Sequence, residues 1–292
     1  MNFQIFRVCF TMLIACVQSD VTFANPAANL QKVIEWMERA ASLGPAELVV
    51  FPECMLSGYT FQSREHAFDV AIEIDDPIID ELARSARRLN QSVAIGFLER
   101  DGEKLFNAAA LIGPEGVIGC YRKIHLPGLG VDRFVDRGDR PYQTHSARTA
   151  NSGQAHVGLA ICYDGSFPEP MRVLGLAGAD IIALCTNWPI EGIRTPSIVP
   201  PARSMENHLY FVAANRVGTE NGVSFCGRSS ICAPDGIVLA ASDDDQETIL
   251  IAQADLRIAR NKTLERTPGT HVIDRFADRC PQYYGSITDP VK

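Results

Sequence analysis

Ile161-Cys162-Tyr163-Asp164-Gly165-Ser166-Phe167-Pro168-Glu169 is the stretch on which the reading of this chain turns. The apolar run before it, Val157 to Ile161, reads as a buried strand, and Glu169 to Ala179 behind it reads as a helix. A cysteine on a sharp turn between strand and helix sits where many hydrolases hold a nucleophile. Backbone N–H groups at such a turn can face a developing oxyanion. The thiolate is the reactive form of cysteine, and a neighbouring base or cation activates it. Taken alone, Cys162 is equally well explained as a buried packing residue.

Upstream, Met12 to Gln18 reads as a first core strand. Asn25-Pro26 is a helix start, with Asn as N-cap and Pro at the first helical position. Leu30, Val33, Ile34, Met37 and Ala41 follow at helical spacing, Gly44-Pro45 ends the helix, and Glu47 to Pro52 is a short β-rich run. Strand, helix, strand implies parallel pairing. Asp76-Pro77 opens a second helix with Ile78, Ile79, Leu82, Ala83, Ala86 and Leu89 on its apolar face, and Gln91 to Leu98 is the next strand. Phe106 to Ile112 and Val117 to Tyr121 flank Gly113-Pro114-Glu115-Gly116 as a hairpin. Lys123 to Asn151 has little periodicity and reads as a long irregular loop, which is usually functional or disordered.

Downstream of the cysteine, the spacing predicts a strand at Asp180–Leu184, a helix at Pro196–His208 and a strand at Tyr210–Asn215. A hairpin follows around Ala233-Pro234-Asp235-Gly236, then a last strand at Thr248–Ala254 and a helix at Asp255–Leu264. The tail from Thr267 shows no pattern. The fold class is α/β with mixed sheets.

Composition bounds the function. The 292 residues are 46% hydrophobic and 21% charged, enough for one large core, and no Pro/Gly/Ser-rich linker divides them. A net charge of −8 argues against nucleic acid as a partner, since that needs a basic face. The nine cysteines are scattered and include no C-x-x-C pair, so neither a zinc site nor a disulfide framework is indicated, and a reducing cytoplasm fits. The apolar run Ile5 to Val17 is too short for a membrane span and has no clear Ala-x-Ala processing site behind it. It reads as a short extension leading into the first strand rather than a signal peptide, and no membrane partner is expected.

Two further residues at strand ends carry chemistry. Glu53, in Phe51-Pro52-Glu53, follows a buried strand, where partial desolvation raises a carboxyl toward the range of a general base. An ordinary surface glutamate is the plainer reading of the residue alone. Lys123, in Tyr121-Arg122-Lys123-Ile124-His125-Leu126-Pro127, could hold an oxyanion if buried, or be a solvated basic turn. His125 invites a Cys–His reading, against which stands a structural histidine beside Leu and Pro.

In order, F-P-E, Y-R-K-x-H-L-P and C-Y-D-x-x-F-P-E resemble the carbon–nitrogen hydrolase (nitrilase) superfamily, whose signature is a Glu-Lys-Cys triad. Asn29-Leu30, Asn187-Trp188-Pro189, Arg203-Ser204-Met205-Glu206-Asn207, Ala214-Asn215-Arg216-Val217-Gly218 and Gly227-Arg228-Ser229-Ser230 are similar to further family blocks. The resemblance implies a four-layer α-β-β-α sandwich and a single domain over residues 1–292, with a core at 10–265. It also implies a homodimer or higher oligomer. Asp274-Arg275-Phe276 and Tyr283 resemble the family's C-terminal segment, so the tail at 266–292 is expected at a subunit interface.

The implied mechanism has Glu53 as acid/base and Cys162 as nucleophile, with Lys123 and the backbone N–H of Tyr163 on the oxyanion. No metal or organic cofactor is called for. Asn187, Trp188 and Tyr59 are implied pocket walls. One departure stands out: no Glu occurs between Glu115 and Glu169, where many members carry a second glutamate. Asp132 is the best substitute, with a loop salt bridge to Arg133 as its alternative. Arg203, Glu206 and Arg216 read as one buried structural network. Tyr163-Asp164 resembles the amidase and carbamoylase branches, since nitrilases of the family usually carry Trp-Glu there. The expected activity is cleavage of a small amide or N-carbamoyl compound. A nitrilase, a catalytically silent binding protein on the same fold and an ammonia-feeding glutaminase are the alternatives. Substrate choice falls to the loops at 54–70, 124–150 and 187–200.

Overall fold

The computed structural model of the chain describes residues 11–149 and 153–289. The expected N-terminal extension, Cys9 and Asn151 lie outside them. In chain order the first half forms β1 (Thr11–Gln18), α1 (Pro26–Leu43), β2 (Ala46–Val50), α2 (Arg64–Val70), α3 (Pro77–Leu89), β3 (Ser92–Asp101), β4 (Lys104–Gly113) and β5 (Gly116–Arg122). Then come β6 (Thr144–Thr149), β7 (Gly153–Ile161), α4 (Pro168–Leu176), β8 (Ile181–Thr186), α5 (Thr195–Asn207) and β9 (Tyr210–Asn215). The remainder is β10 (Thr219–Glu220), β11 (Val223–Ser224), β12 (Ser230–Cys232), β13 (Val238–Ala241), β14 (Thr248–Asp255), α6 (Leu256–Arg260), β15 (Thr263–Thr267) and β16 (His271–Asp274).

The strands build two six-stranded sheets, ordered β14-β1-β2-β3-β4-β5 and β13-β12-β9-β8-β7-β6. Starting from β14 in one and β6 in the other, both pair as antiparallel, parallel, parallel, antiparallel, antiparallel. The layers follow from period-two alternation. Ala15 and Val17 of β1, Val49 of β2, and Ala108, Ala110 and Ile112 of β4 pack under Val33, Trp36 and Met37 of α1 and Ile79 and Leu82 of α3. The intervening residues Met12, Ile14, Cys16, Leu48, Val50, Ala109 and Leu111 turn the other way and join the second sheet. On its far side lie α4 and α5, which touch each other. The result is the four-layer sandwich, helices outside two facing sheets.

The helix starts behave as read. Asn25 and Asp76 cap α1 and α3, accepting from the N–H groups of Ala28 and Ile78, each with proline at the start. Other expectations are corrected. The segment 123–151 is not wholly irregular, because Thr144–Thr149 pairs antiparallel with β7. Its alternation is carried by His145 and Ala147, too small a signal to rise above the polar residues between them. The helix α2, capped by Ser63, was not expected. The helix expected over 255–264 stops at Arg260, and Thr263–Thr267 turns into a hairpin with His271–Asp274. So Thr248–Ala254 is not the last strand. The tail then lies against α4, with Phe276 under the guanidinium of Arg172.

Four strand ends converge. Glu53 follows β2, Lys123 follows β5, Cys162 follows β7 and Asn187 follows β8. Gly96 of β3 seats the first of them. A Cβ built on Gly96 would lie 2.6 Å from Glu53 Cα and 2.6 Å from Cys54 N, and the Gly96 N–H donates to the Pro52 carbonyl at 3.2 Å. Gly96→Ala is therefore expected to push the Glu53 loop away. Thermal melts should show a loss of about 1–3 kcal/mol, and turnover should fall by up to ~10²-fold from a displacement of about 1 Å. Wild-type turnover in this variant would show that the seat is not required.

Candidate active site

Glu53 and Lys123 are fully buried and paired, Lys123 Nζ lying 2.7 Å from Glu53 Oε1. Neither the surface glutamate nor the solvated basic turn fits. Lys123 Nζ also donates to Asp132 Oδ2 at 2.5 Å. An ammonium has three hydrogens, so one is left for another acceptor. Burial alone would lower the Lys123 pKa, but the charges of Asp132 and Glu53 outweigh it and hold the ammonium well above its ordinary value.

Asp132 sits on a 3₁₀ turn, Gly130–Arg133, and is itself buried. Besides Lys123 it accepts from Tyr59 Oη at 2.8 Å and from Asn107 Nδ2 at 2.9 Å. Arg133 turns instead to the carbonyls of Gly130 and Phe61, so the loop salt bridge is not formed. The Asp132 turn can approach because Gly130, at φ +54°, has no Cβ to strike the Tyr59 ring.

Glu53 Oε1 accepts from both Lys123 and Asn107, while Oε2 is buried with no partner among the described residues. Burial raises the Glu53 carboxyl above its ordinary 4.5. Lys123 pulls it back in part, and the neighbouring Asp132 charge pushes it up again.

Cys162 is buried at the start of a 3₁₀ turn, Cys162–Ser166, with φ at +42°. A non-glycine residue in this left-handed region costs about 1–2 kcal/mol, and such strain collects at functional turns. Burial and then the Glu53 charge push the thiol up to about 12; Lys123, the Thr186 hydroxyl and the Asn187 N–H pull the other way. The resting sulfur is therefore a neutral thiol that needs a base. Asn187 spans the gap, donating from Nδ2 to the Glu53 carbonyl at 2.9 Å, while its Oδ1 is buried without a partner among the described residues.

The turn is held by Asp164, a residue whose role the sequence reading missed. Its carboxylate accepts from Ile161 N–H at 3.0 Å, Tyr121 Oη at 2.8 Å and Tyr142 Oη at 3.0 Å, and it pairs with His125 Nδ1 at 2.7 Å. The His125 ring also stacks on Phe167. This histidine is engaged by the scaffold of the turn. Tyr163 is exposed and packs edge-on against Phe167. Trp188 is buried in the core beside β8, and its backbone N–H donates to Asn215 Oδ1 at 2.8 Å.

The single expected network of Arg203, Glu206 and Arg216 is two. Arg203 caps the carbonyls of Gly165 and Ser166 behind the cysteine turn and pairs with Glu206. Arg216 pairs with Asp20 and Glu220, and Glu220 in turn accepts from the N–H groups of Tyr59 and Thr60. Glu220 and Asn107 were also missed. Asn107 had a signal, a lone amide inside an apolar strand. Glu220 had none, being distant in sequence from the loop it holds. Among the described residues no group of acidic, histidine or cysteine side chains could hold a metal ion, and no helix is long and apolar enough to cross a membrane.

With this geometry in place, comparison with known proteins is decisive on kinship. The model of the carbon-nitrogen hydrolase family matches residues 13–261. A nitrilase of Pyrococcus abyssi is 36% identical over 272 residues, which cover 93% of this chain and 98% of that protein. An (R)-stereoselective amidase of a Pseudomonas species is 32% identical over 256 residues, covering 85% and 88%. The crystal structure of an amidase from a Nesterenkonia species superposes with a TM-score of 0.71 at 25% identity, covering 84% of this chain and 92% of that one. The match spans β1 to α6, both sheets and all four converging strand ends. The chain belongs to the carbon–nitrogen hydrolase family.

Proposed function

We propose that the enzyme hydrolyses the C–N bond of a small amide or N-carbamoyl compound, releasing ammonia through a thioester on Cys162. The observation that carries this is the burial of a paired carboxylate and ammonium, Glu53 and Lys123, beside the Cys162 thiol. Glu53 Oε2 takes the thiol proton as Cys162 Sγ attacks the carbonyl carbon. The third hydrogen of Lys123 and the N–H of Tyr163 meet the oxyanion. Collapse of the tetrahedral intermediate breaks the C–N bond, and Glu53 returns its proton to the leaving ammonia. Glu53 then draws a proton from water, the hydroxide attacks the thioester, and the thiol leaves with that proton. Asp132 keeps Lys123 charged and in place, and Tyr59 orients Asp132.

A nitrile substrate is the second reading, favoured by the name of the Pyrococcus relative. Asn187 supports the amide instead: its backbone N–H faces the Cys162 thiol, and its buried Oδ1, without a partner among the described residues, is an acceptor that an amide N–H satisfies and a nitrile nitrogen does not. The test is ammonia release from aliphatic amides, ω-amides, N-carbamoyl amino acids and nitriles, with Cys162→Ala as the blank. Amides or carbamoyl compounds should exceed nitriles by about tenfold or more, the cost of one unpaired buried acceptor. A nitrile as the fastest substrate would replace this reading with the second. Silence across the panel would favour a binding protein on this fold.

A further inference from the structure

Asn107 lies in the middle of β4, inside the apolar run Leu105-Phe106-Asn107-Ala108-Ala109. It is 1% exposed, so its amide must find partners inside the protein. Both hydrogens of Nδ2 are used, one on Glu53 Oε1 at 2.7 Å and one on Asp132 Oδ1 at 2.9 Å. Its backbone carbonyl accepts the Lys123 N–H at 2.8 Å. The orientation of the amide is set by its neighbours: two carboxylates on one side, and on the other the Cys54 thiol, which donates to Oδ1 at 3.6 Å.

These bonds close a ring. Lys123 bridges Glu53 Oε1 to Asp132 Oδ2, and Asn107 bridges Glu53 Oε1 to Asp132 Oδ1. One oxygen of Glu53 thus takes two donors, while the other is buried with none among the described residues. Two donors on one oxygen fix the plane of the carboxylate, which a single donor leaves free to turn. We propose that Asn107 is the positioning residue of the base, tying up Glu53 Oε1 so that Oε2 is the oxygen that exchanges protons with Cys162 and the leaving nitrogen. A neutral amide does this without the extra positive charge that would make the carboxylate too weak a base. The inference rests on the reading of Glu53 as acid/base.

The groups that act electrostatically with Glu53 are Lys123, Asp132, Cys162, Tyr59, Cys54 and Cys185. Asn107 favours the ionised carboxyl, as a donor to a charged acceptor does. The experiment is the pH profile of kcat/KM for the preferred amide in wild type, Asn107→Leu and Asn107→Ser, with thermal melts alongside. Activity requires ionised Glu53, so it falls as pH drops through the Glu53 pKa. Loss of a donor raises that pKa, and the acid limb of Asn107→Leu should move up by about one pH unit. Its kcat should fall on the order of 10²-fold, with KM little changed. Asn107→Ser keeps one donor and should lie between. If the leucine variant does not fold, the serine variant is read in its place.

An acid limb that stays where it is in a folded variant, with the loss confined to KM or to the melting temperature, would overturn the positioning role. Glu53→Gln separates this from the parent reading. Full activity in Glu53→Gln sinks the base assignment itself. An inactive Glu53→Gln with an unmoved limb in the Asn107 variants sinks only the role of Asn107.

Discussion

Cys162→Ala is expected to lower kcat for the preferred amide by on the order of 10⁶-fold, as loss of a nucleophile that works as a unit with its base does. The reason is covalent. Without sulfur no thioester forms, and the ordered exchange of one proton between Cys162 and Glu53 has no first partner. Cys54 and Cys185 do not stand in, because both are wholly buried, at 0% exposure, whereas Cys162 keeps 8%. Folding should be nearly untouched, since alanine meets the same left-handed backbone at φ +42° and leaves only a small void. Ammonia release over long incubations, with a melting curve as control, is the measurement. Retention of more than about a hundredth of wild-type turnover would mean that general acid–base help on water carries the reaction without a covalent step.

Lys123→Met removes two things at once, and the effects can be read separately. The first is catalytic: an oxyanion donor is lost, which lowers kcat by about 10²–10³-fold. The second is structural. Asp132 and Glu53 are left buried with no cation between them, and breaking a buried pair from one side costs about 3–5 kcal/mol. The sign with pH follows from proton binding. The Glu53 carboxyl is already raised in the folded chain, and Lys123 is the partner that pulls it back. Without Lys123 it rises further, so the folded variant binds more protons than the unfolded one. That stability is present below the ordinary 4.5 and is lost as pH rises through the folded value. The gap in urea midpoint between wild type and Lys123→Met should therefore be wider at pH 8 than at pH 5. A gap that does not depend on pH would show that the two carboxylates do not share this burden.

The three site candidates stood out as a set because their motifs, in order, resemble those of the family, while each residue alone had an ordinary reading. Glu53, Lys123 and Cys162 each follow a short apolar run that reads as a buried strand. The αβ units were legible from such runs, with Asn25-Pro26 and Asp76-Pro77 marking the helix starts. The residues that hold the site together were not. Asn107 carries no sign in its neighbours of which carboxylates it meets, since those come from the loop at Glu53 and the turn at Asp132. Asp164 stood inside the quoted motif, yet its partners Tyr121, Tyr142 and His125 arrive from β5 and the long segment after it. Glu220 reaches back to Tyr59 across most of the chain. Such contacts are set by how two sheets face each other, and no local spacing encodes that. The β6 strand and the tail hairpin failed differently: β6 buries only His145 and Ala147, and the hairpin leaves Val272 exposed and sets Leu264 against Ile273 only half-buried, so pairing rather than apolar periodicity makes them strands.

The most direct measurement is mass spectrometry of the enzyme acid-quenched during turnover of its preferred amide, followed by peptide mapping. The expected result is the substrate acyl group on the peptide that carries Cys162, absent from Cys162→Ala and lost when substrate is exhausted. An acyl group on any other residue, or rapid turnover of an acylating substrate with no adduct at any quench time, would contradict Cys162 as the nucleophile served by Glu53 and Lys123.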